Sequence, residues 1–172
     1  MTTTVRYLSQ REALAWLEQH GYTAPYDVGF ACRARLQTPR DSGKKSALVK
    51  SILTWVPSNG QCLLLLTNWG VWPSCENAEL FERVRASIGP AEPIQESPGQ
   101  LLTLTARGAI ECLLDVCLFN YWDCVLAHET HRFLIRFSHD ECVEICCDLE
   151  LKPCVENTVS LFSRQAREHA TE

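Results

Sequence analysis

The feature that most constrains the fold of this chain is a change of hydrophobic period within residues 105–148. Up to Leu118 the apolar residues recur at spacings of three and four, as on the buried face of a helix, and Thr105 is placed to cap that helix. The apolar positions are Ala109, Ile110, Leu113, Leu114, Cys117 and Leu118. From Tyr121 the period is two, which is typical of strands. The segment therefore predicts one buried helix, ending near Asn120, followed by strands.

Two polar breaks divide the part of this segment that has the strand period. His128–His131 follows the first alternating run, and Ser138–Glu141 follows the second, which begins at Phe133. A third run, Cys142–Cys146, comes after the second break. We therefore predict two or three strands joined by polar turns.

A hairpin is the second prediction. Leu48–Val56 and Gln61–Thr67 are apolar runs that flank Asn59-Gly60, and Asn-Gly is a strong signal for a tight turn because both residues tolerate positive φ. Residues 63–66 are apolar on both faces, so we expect the second strand to be central in the sheet.

Other patterns predict the remaining elements. Ser9 and Glu12 form a capping box that begins a short helix, and Gly21 is placed to end it. Further helices are expected over Cys75–Ile88 and Thr158–Arg167, and a short strand over Leu101–Leu104.

These elements predict a single α+β domain over residues 1–172. We expect a central antiparallel or mixed sheet of five to six strands, with three to four helices mainly on one face. A flexible basic loop is predicted at about residues 36–47, because Pro39 and Gly43 interrupt any pattern there, and a frayed tail at about 168–172.

Composition bears on the cellular location of the domain. No apolar run reaches the roughly 20 residues that span a bilayer, and the N-terminal residues lack the apolar segment of a secretory signal. We therefore expect a cytoplasmic location and no membrane contact. Ten cysteines in such a setting are expected to be thiols that pack as small hydrophobic residues.

The cysteines and histidines do not have the spacing of a metal site. The chain contains no C-x2-C pair, and Cys142 and Cys146 would be about 13 Å apart on a strand. His128 and His131 flank a turn without forming a zinc motif. We therefore predict no metal site and no cofactor.

Catalysis remains as an alternative. Cys124 with His128 or His139 would need a positive environment to ionise the thiol, but its neighbours in the sequence are acidic. His139, Asp140 and an adjacent glutamate at the second polar break are a candidate acid–base cluster. The alternative function is thus an enzyme, or a metal or thiol sensor, that uses His139 with nearby cysteines or acids.

Partner binding is the function that we expect. Acids without any base occupy residues 140–150, and two tryptophans lie in the loop of residues 68–74, where exposed aromatic residues are typical interface anchors. The predicted partner-binding residues are Trp69, Trp72, Asp140, Glu141, Glu144 and Asp148. We predict a non-catalytic domain that binds another protein, with an immunity or antitoxin-like role in which the acids cover a basic surface.

Nucleic-acid binding is a second alternative. The segment Arg33–Lys50 holds six basic residues against one acid. A net charge of −5 argues against this alternative.

Short motifs give a resemblance. Asn68–Ser74, Glu96–Gly99, Trp122-Asp123 and Ser138–Glu141 resemble a pattern, with W-G-x-W-P-S and S-H-D-E motifs, in a group of small uncharacterised bacterial proteins. The resemblance spans about residues 54–144. It implies a bacterial α+β domain and no catalytic residue.

Overall fold

The computed structural model describes residues 5–22, 29–57, 59–70, 73–90, 92–103 and 107–168, with side chains as far as Ser163. The strands are β1 (Val5–Leu8), β2 (Cys32–Gln37), β3 (Gln61–Asn68), β4 (Gly99–Thr103), β5 (Asp123–His128), β6 (Phe133–Ser138) and β7 (Cys142–Cys147). The helices are α1 (Gln10–Gln19), α2 (Ser42–Trp55), α3 (Ala78–Ile88), α4 (Arg107–Phe119) and α5 (Lys152–Glu168). Short 3₁₀ turns, Ser74–Asn77 and Leu149–Leu151, precede α3 and α5.

All seven described strands belong to one antiparallel sheet with the order β1-β4-β3-β5-β6-β7-β2. The fold class is therefore α+β, as predicted. The described part of the chain has seven strands and five α-helices, whereas the sequence predicted five to six strands and three to four helices. Edge strands β1 and β2 were missed because each buries only one side chain, so neither has a clear apolar alternation.

The predicted strand Leu48–Val56 is wrong, because helix α2 occupies these residues as far as Trp55. The carboxylate of Asp41 caps α2 by accepting a hydrogen bond from the backbone N–H of Lys44 at 2.9 Å. The predicted hairpin is therefore a junction between a helix and a strand. Residues 36–47 are likewise not one flexible loop, since β2 extends into them and α2 begins at Ser42.

The sheet has a hydrophobic core on each face. Helices α2, α3, α4 and α5 contribute to the larger core, and the sheet residues that face it include Leu64, Leu126 and Ile135. Helix α1 covers part of the other face, where it packs on Leu63 and Leu65. The helices lie mainly on one face, as the sequence predicted.

Several local predictions are confirmed. The capping box of α1 forms between Ser9 and Glu12, and Gly21 has a φ of +80° directly after the helix. The buried residues of α4 follow the predicted stripe, but Thr105, its expected cap, lies outside the described residues. Helix α5 begins six residues before the predicted Thr158, with Pro153 in its first turn, where a missing N–H costs nothing. Of the tail predicted at 168–172, only Glu168 is described.

Candidate functional site

A row of alternating charges crosses the face of the sheet that carries α1. The register of β2, β7, β6 and β5 places Arg35 opposite Glu144, Glu144 opposite Arg136, and Arg136 opposite Val125. Directly opposite residues share one face of an antiparallel sheet, so these four side chains form a line across four strands. Helix α1 packs on β1, β3 and β4. It leaves Arg136 of β6 and Glu144 of β7 nearly half exposed.

The row borders a small open cavity that we call the charged groove, defined by Arg35, Asp123, Arg136, Asp140 and Glu144. Its volume is about 230 Å³. The other lining residues are Thr67, Cys124, Val125, Phe137, Ser138 and Cys142. Val125 and Cys142 are buried, so apolar groups lie beneath the arginine stems. The charged groove is thus a polar surface feature with a narrow apolar floor.

The turn between β6 and β7 forms one rim of the charged groove, and Asp123 holds it in place. One carboxylate oxygen of Asp123 accepts a hydrogen bond from the backbone N–H of His139 at 2.6 Å. The imidazole Nδ1 of His139 lies 2.9 and 3.0 Å from the two oxygens of the same carboxylate. The hydrogen bond and charge of Asp123 raise the pKa of His139. Glu141 completes the turn with a φ of 55°.

The arginines partly neutralise the predicted acidic surface. Arg136 Nη1 lies 3.6 Å from Glu144 Oε2, and Arg40 Nε lies 3.8 Å from Glu141 Oε2. Asp140, which lies beside His139, is more exposed than either of these glutamates, with 74% of its side chain accessible. The charge of this surface therefore alternates, and is acidic mainly at the tip of the turn.

The structure brings together only some of the predicted partner-binding residues. Asp140, Glu141 and Glu144 lie at or near the charged groove. Asp148 follows the other end of β7, about 20 Å away at the rise of a strand, where its N–H bonds to the carbonyl of Arg132. Trp69 is partly buried against the larger core and does not line the groove. Trp72 lies outside the described residues.

The candidate Cys124–His128 pair is separated by the length of β5. Burial, with a smaller contribution from Cys117, raises the pKa of Cys124 well above its usual range, which keeps the thiol protonated. His128 is also buried, and its Nδ1 accepts hydrogen bonds from the backbone N–H groups of Thr130 and His131 at 3.1 and 3.0 Å. Its Nε2 lies 3.1 Å from the carbonyl oxygen of Asn59. This histidine therefore organises the β5–β6 turn in its neutral form.

Metal-ligand clusters are absent from the described residues, where no group of three or more His, Cys, Asp or Glu is placed to hold an ion. His139 has acids on both sides, since its Nε2 lies 3.5 Å from Asp140 Oδ1. Three members of one site were not predicted: Arg35, Asp123 and Arg136. Arg35 reaches the site only through the β2–β7 pairing, for which the sequence carries no local signal.

The basic segment Arg33–Lys50 does not form one continuous loop. Arg35 lies in the charged groove on β2. Lys45 is buried in α2, where its Nζ donates to the carbonyl oxygen of Leu118 at 3.0 Å. Lys50 pairs with Glu111 on the surface at 3.7 Å. The six bases are therefore divided between a strand, a helix and the connection between them.

Comparison with known proteins adds no further guide to the site. Among the described helices, none is both long enough and apolar enough to cross a membrane. No family model matches the chain, and no curated protein or solved structure matches it.

Proposed function

We propose that this chain is a non-catalytic protein-binding domain and that the charged groove, with the β6–β7 turn at its rim, is its binding surface. The observation that carries the proposal is the exposed row Arg35–Glu144–Arg136, which lies beyond the part of the sheet that α1 covers. Arginine is enriched at interface hot spots because its planar head binds carboxylates in a defined geometry.

The size of the charged groove favours a macromolecular partner. A volume of about 230 Å³ is below the roughly 300–1,000 Å³ typical of small-molecule pockets. A cavity of this size can accept one or two side chains of a partner. The link from Asp123 to His139 also fixes the rim before binding, which reduces the ordering cost of association.

The charge of Asp140 indicates which charge we expect on the partner. This carboxylate is the most exposed acid of the rim, and Asp123 lies beside it in the same cavity. A basic side chain of the partner would meet these acids, while the two arginines would meet acids beside it. An immunity or antitoxin-like role, in which the domain covers a basic surface of its partner, is the form of binding that we propose.

Affinity capture from a lysate of the source cells, at low and high salt, tests this proposal. A single salt-sensitive partner should be retained by the wild-type chain and lost by Asp140→Lys and by Arg136→Glu. Asp148→Lys is the matched control, because it makes the same charge change at the far end of β7. Equal loss in all three variants, or retention in all three, would show that the charged groove is not the binding surface.

A second candidate, acid–base catalysis by His139, is favoured by its contact with Asp123. A carboxylate on Nδ1 orients an imidazole so that Nε2 can exchange protons with a substrate. A panel of ester and phosphoester substrates, assayed with wild type and His139→Gln, tests this candidate. Turnover that His139→Gln abolishes would establish an enzyme, whereas the same background rate in both proteins would leave binding as the function.

A further inference from the structure

Two cysteines face each other at the edge of the sheet that carries Arg35. In the β2–β7 ladder Cys32 is directly opposite Cys147. Such partners have Cα atoms about 4.5–5.5 Å apart, within the range of about 4.4–6.8 Å that disulfides span. Both cysteines are thiols in the structure. Because the two residues are directly opposite, the spacing of their backbones lies within the range that a disulfide spans.

The two thiols differ in their access to solvent. Cys147 is fully buried and belongs to the larger core, whereas Cys32 is half-buried because β2 has no neighbour on its outer side among the described strands. A cavity of about 250 Å³ opens beside Cys32, between β2 and the first turns of α5. A small oxidant can reach Cys32 through this cavity, while Cys147 lies behind it.

We infer that Cys32 and Cys147 form a reversible disulfide when the protein meets a peroxide. In the first step the sulfur of Cys32 attacks one peroxide oxygen, the O–O bond breaks, and the leaving oxygen departs as water with the thiol proton. Cys32 is then a sulfenic acid. In the second step the sulfur of Cys147 attacks that of Cys32, and the hydroxyl group leaves as a second water with the proton of Cys147. The thiols lose two electrons and hydrogen peroxide gains them.

The environment of Cys147 explains the order of the steps. Burial, with a smaller effect of the neighbouring Cys32, raises the pKa of Cys147 to about 11, so this thiol is a poor first nucleophile at neutral pH. Once Cys32 carries a sulfenic hydroxyl, the reaction is between neighbours and its effective concentration is high. A low-molecular-weight thiol such as glutathione would reverse the bond by exchange.

The disulfide would act on the charged groove through the ladder. Arg35 and Glu144 form the rung three residues along from Cys32 and Cys147 in the same strand pair. A covalent bond between β2 and β7 would prevent the edge strand from separating, and would hold Arg35 in its row. This inference goes beyond the proposed binding function, since the disulfide can form whatever the groove binds.

Mass spectrometry after mild oxidation tests the inference. The folded chain is treated with equimolar hydrogen peroxide, quenched by alkylation, digested without reductant and mapped. The expected product is one cross-linked peptide pair, Cys32–Cys147, with loss of two of the ten thiols and full recovery after reduction. Cys32→Ser should abolish the cross-link, whereas Cys154→Ser, at an exposed cysteine, should leave it unchanged.

Hydrogen exchange gives a second measurement on the wild-type chain alone. Backbone amides of β2 should exchange at least about tenfold more slowly in the oxidised protein, because fraying of an edge strand is suppressed. The inference is overturned if oxidation modifies only the exposed Cys112 and Cys154, or if Cys32 and Cys147 remain alkylatable on unfolding after peroxide treatment. If the cross-link forms and β2 exchanges at the same rate, the disulfide is supported and its inferred restraint of the edge strand is overturned.

Discussion

The carboxylate of Asp123, at the start of β5, binds both the backbone and the side chain of His139 in the turn between β6 and β7. The backbone N–H of His139 donates to it at 2.6 Å, and the imidazole Nδ1 lies within 3.0 Å of either oxygen. One acid therefore fixes the position of the turn and the orientation of the ring that it carries. The rim of the charged groove depends on this contact.

Asp123→Asn should lower the pKa of His139 towards its ordinary value. The amide oxygen can still accept the backbone N–H, but the variant lacks the charge and the charged acceptor that raise the pKa. An NMR titration of the imidazole proton of His139 measures this directly. Asp140→Asn is the control and should have the smaller effect, since its oxygen lies 3.5 Å from Nε2. An unchanged pKa in Asp123→Asn would contradict this account of the turn.

His128 and His139 should make the stability of the protein depend on pH in opposite ways. The pKa of His128 is lowered, first by burial, so its contribution is complete above the unfolded pKa of about 6.5 and is lost as pH falls below it. The pKa of His139 is raised by Asp123, so its contribution is complete below about pH 6.5 and is lost as pH rises through the folded value.

Urea denaturation of two glutamine variants at pH 5.5 and 7.5 tests these signs. His128→Gln removes an acceptor shared by two backbone N–H groups, so we expect a loss of about 1–3 kcal/mol at pH 7.5 and a smaller loss at pH 5.5. His139→Gln should show the reverse order, with its larger loss at pH 5.5. Parallel pH profiles of wild type and both variants would refute the assigned shifts.

Gly60→Ala should destabilise the protein by about 2 kcal/mol, because Gly60 has a φ of +90° that other residues adopt only with strain. An added Cβ would also lie 2.5 Å from Glu129 Oε1, although that flexible side chain can move away. The matched control is Gly108→Ala in α4, where a Cβ would meet nothing within 4 Å. It should gain up to about 1 kcal/mol from helix propensity. Equal urea midpoints for the two variants would contradict the prediction.

Gly60 also shows where local sequence signals succeed and where they fail. Asn59-Gly60 correctly indicated a positive φ, but it could not indicate which elements the turn joins. The apolar positions of residues 48–56 fit a buried strand, although Leu48 and Ile52 also have the four-residue spacing of a helix. Asp41 lies directly before the first residue of α2, and its side chain caps the helix and so favours it over a strand. This signal lay in a segment that the sequence predicted as a loop.

The charged groove was harder to predict than the fold around it. The helix α4 and strands β5, β6 and β7 follow from one continuous stretch, because each of these strands pairs with the next one in the sequence. Arg35 joins Glu144 only through the pairing of β2 with β7, which are far apart in the chain. The acids could therefore be identified from the sequence, whereas the position of Arg35 beside them could not.

Lys45 and Lys50, two bases of the same predicted segment, should differ strongly in their effect on stability. Lys45 is buried, donates to the carbonyl oxygen of Leu118 at the end of α4, and lies 3.5 Å above the ring of Tyr121. A cation at this position stabilises the C-terminal end of the helix. Lys45→Met keeps the volume but removes the charged donor and the cation–π contact, so we expect a loss of about 2–3 kcal/mol.

Lys50→Met is the matched control, because Lys50 lies on the same helix and its pair with Glu111 is largely exposed. Surface pairs of this kind contribute at most about 1 kcal/mol, and salt screens them. Urea denaturation of both variants at low and high salt should give a large, salt-insensitive loss for Lys45→Met and a small, salt-dependent loss for Lys50→Met. Similar losses in the two variants would mean that Lys45 does not anchor α2 to the end of α4, and that the basic segment acts only through its surface charge.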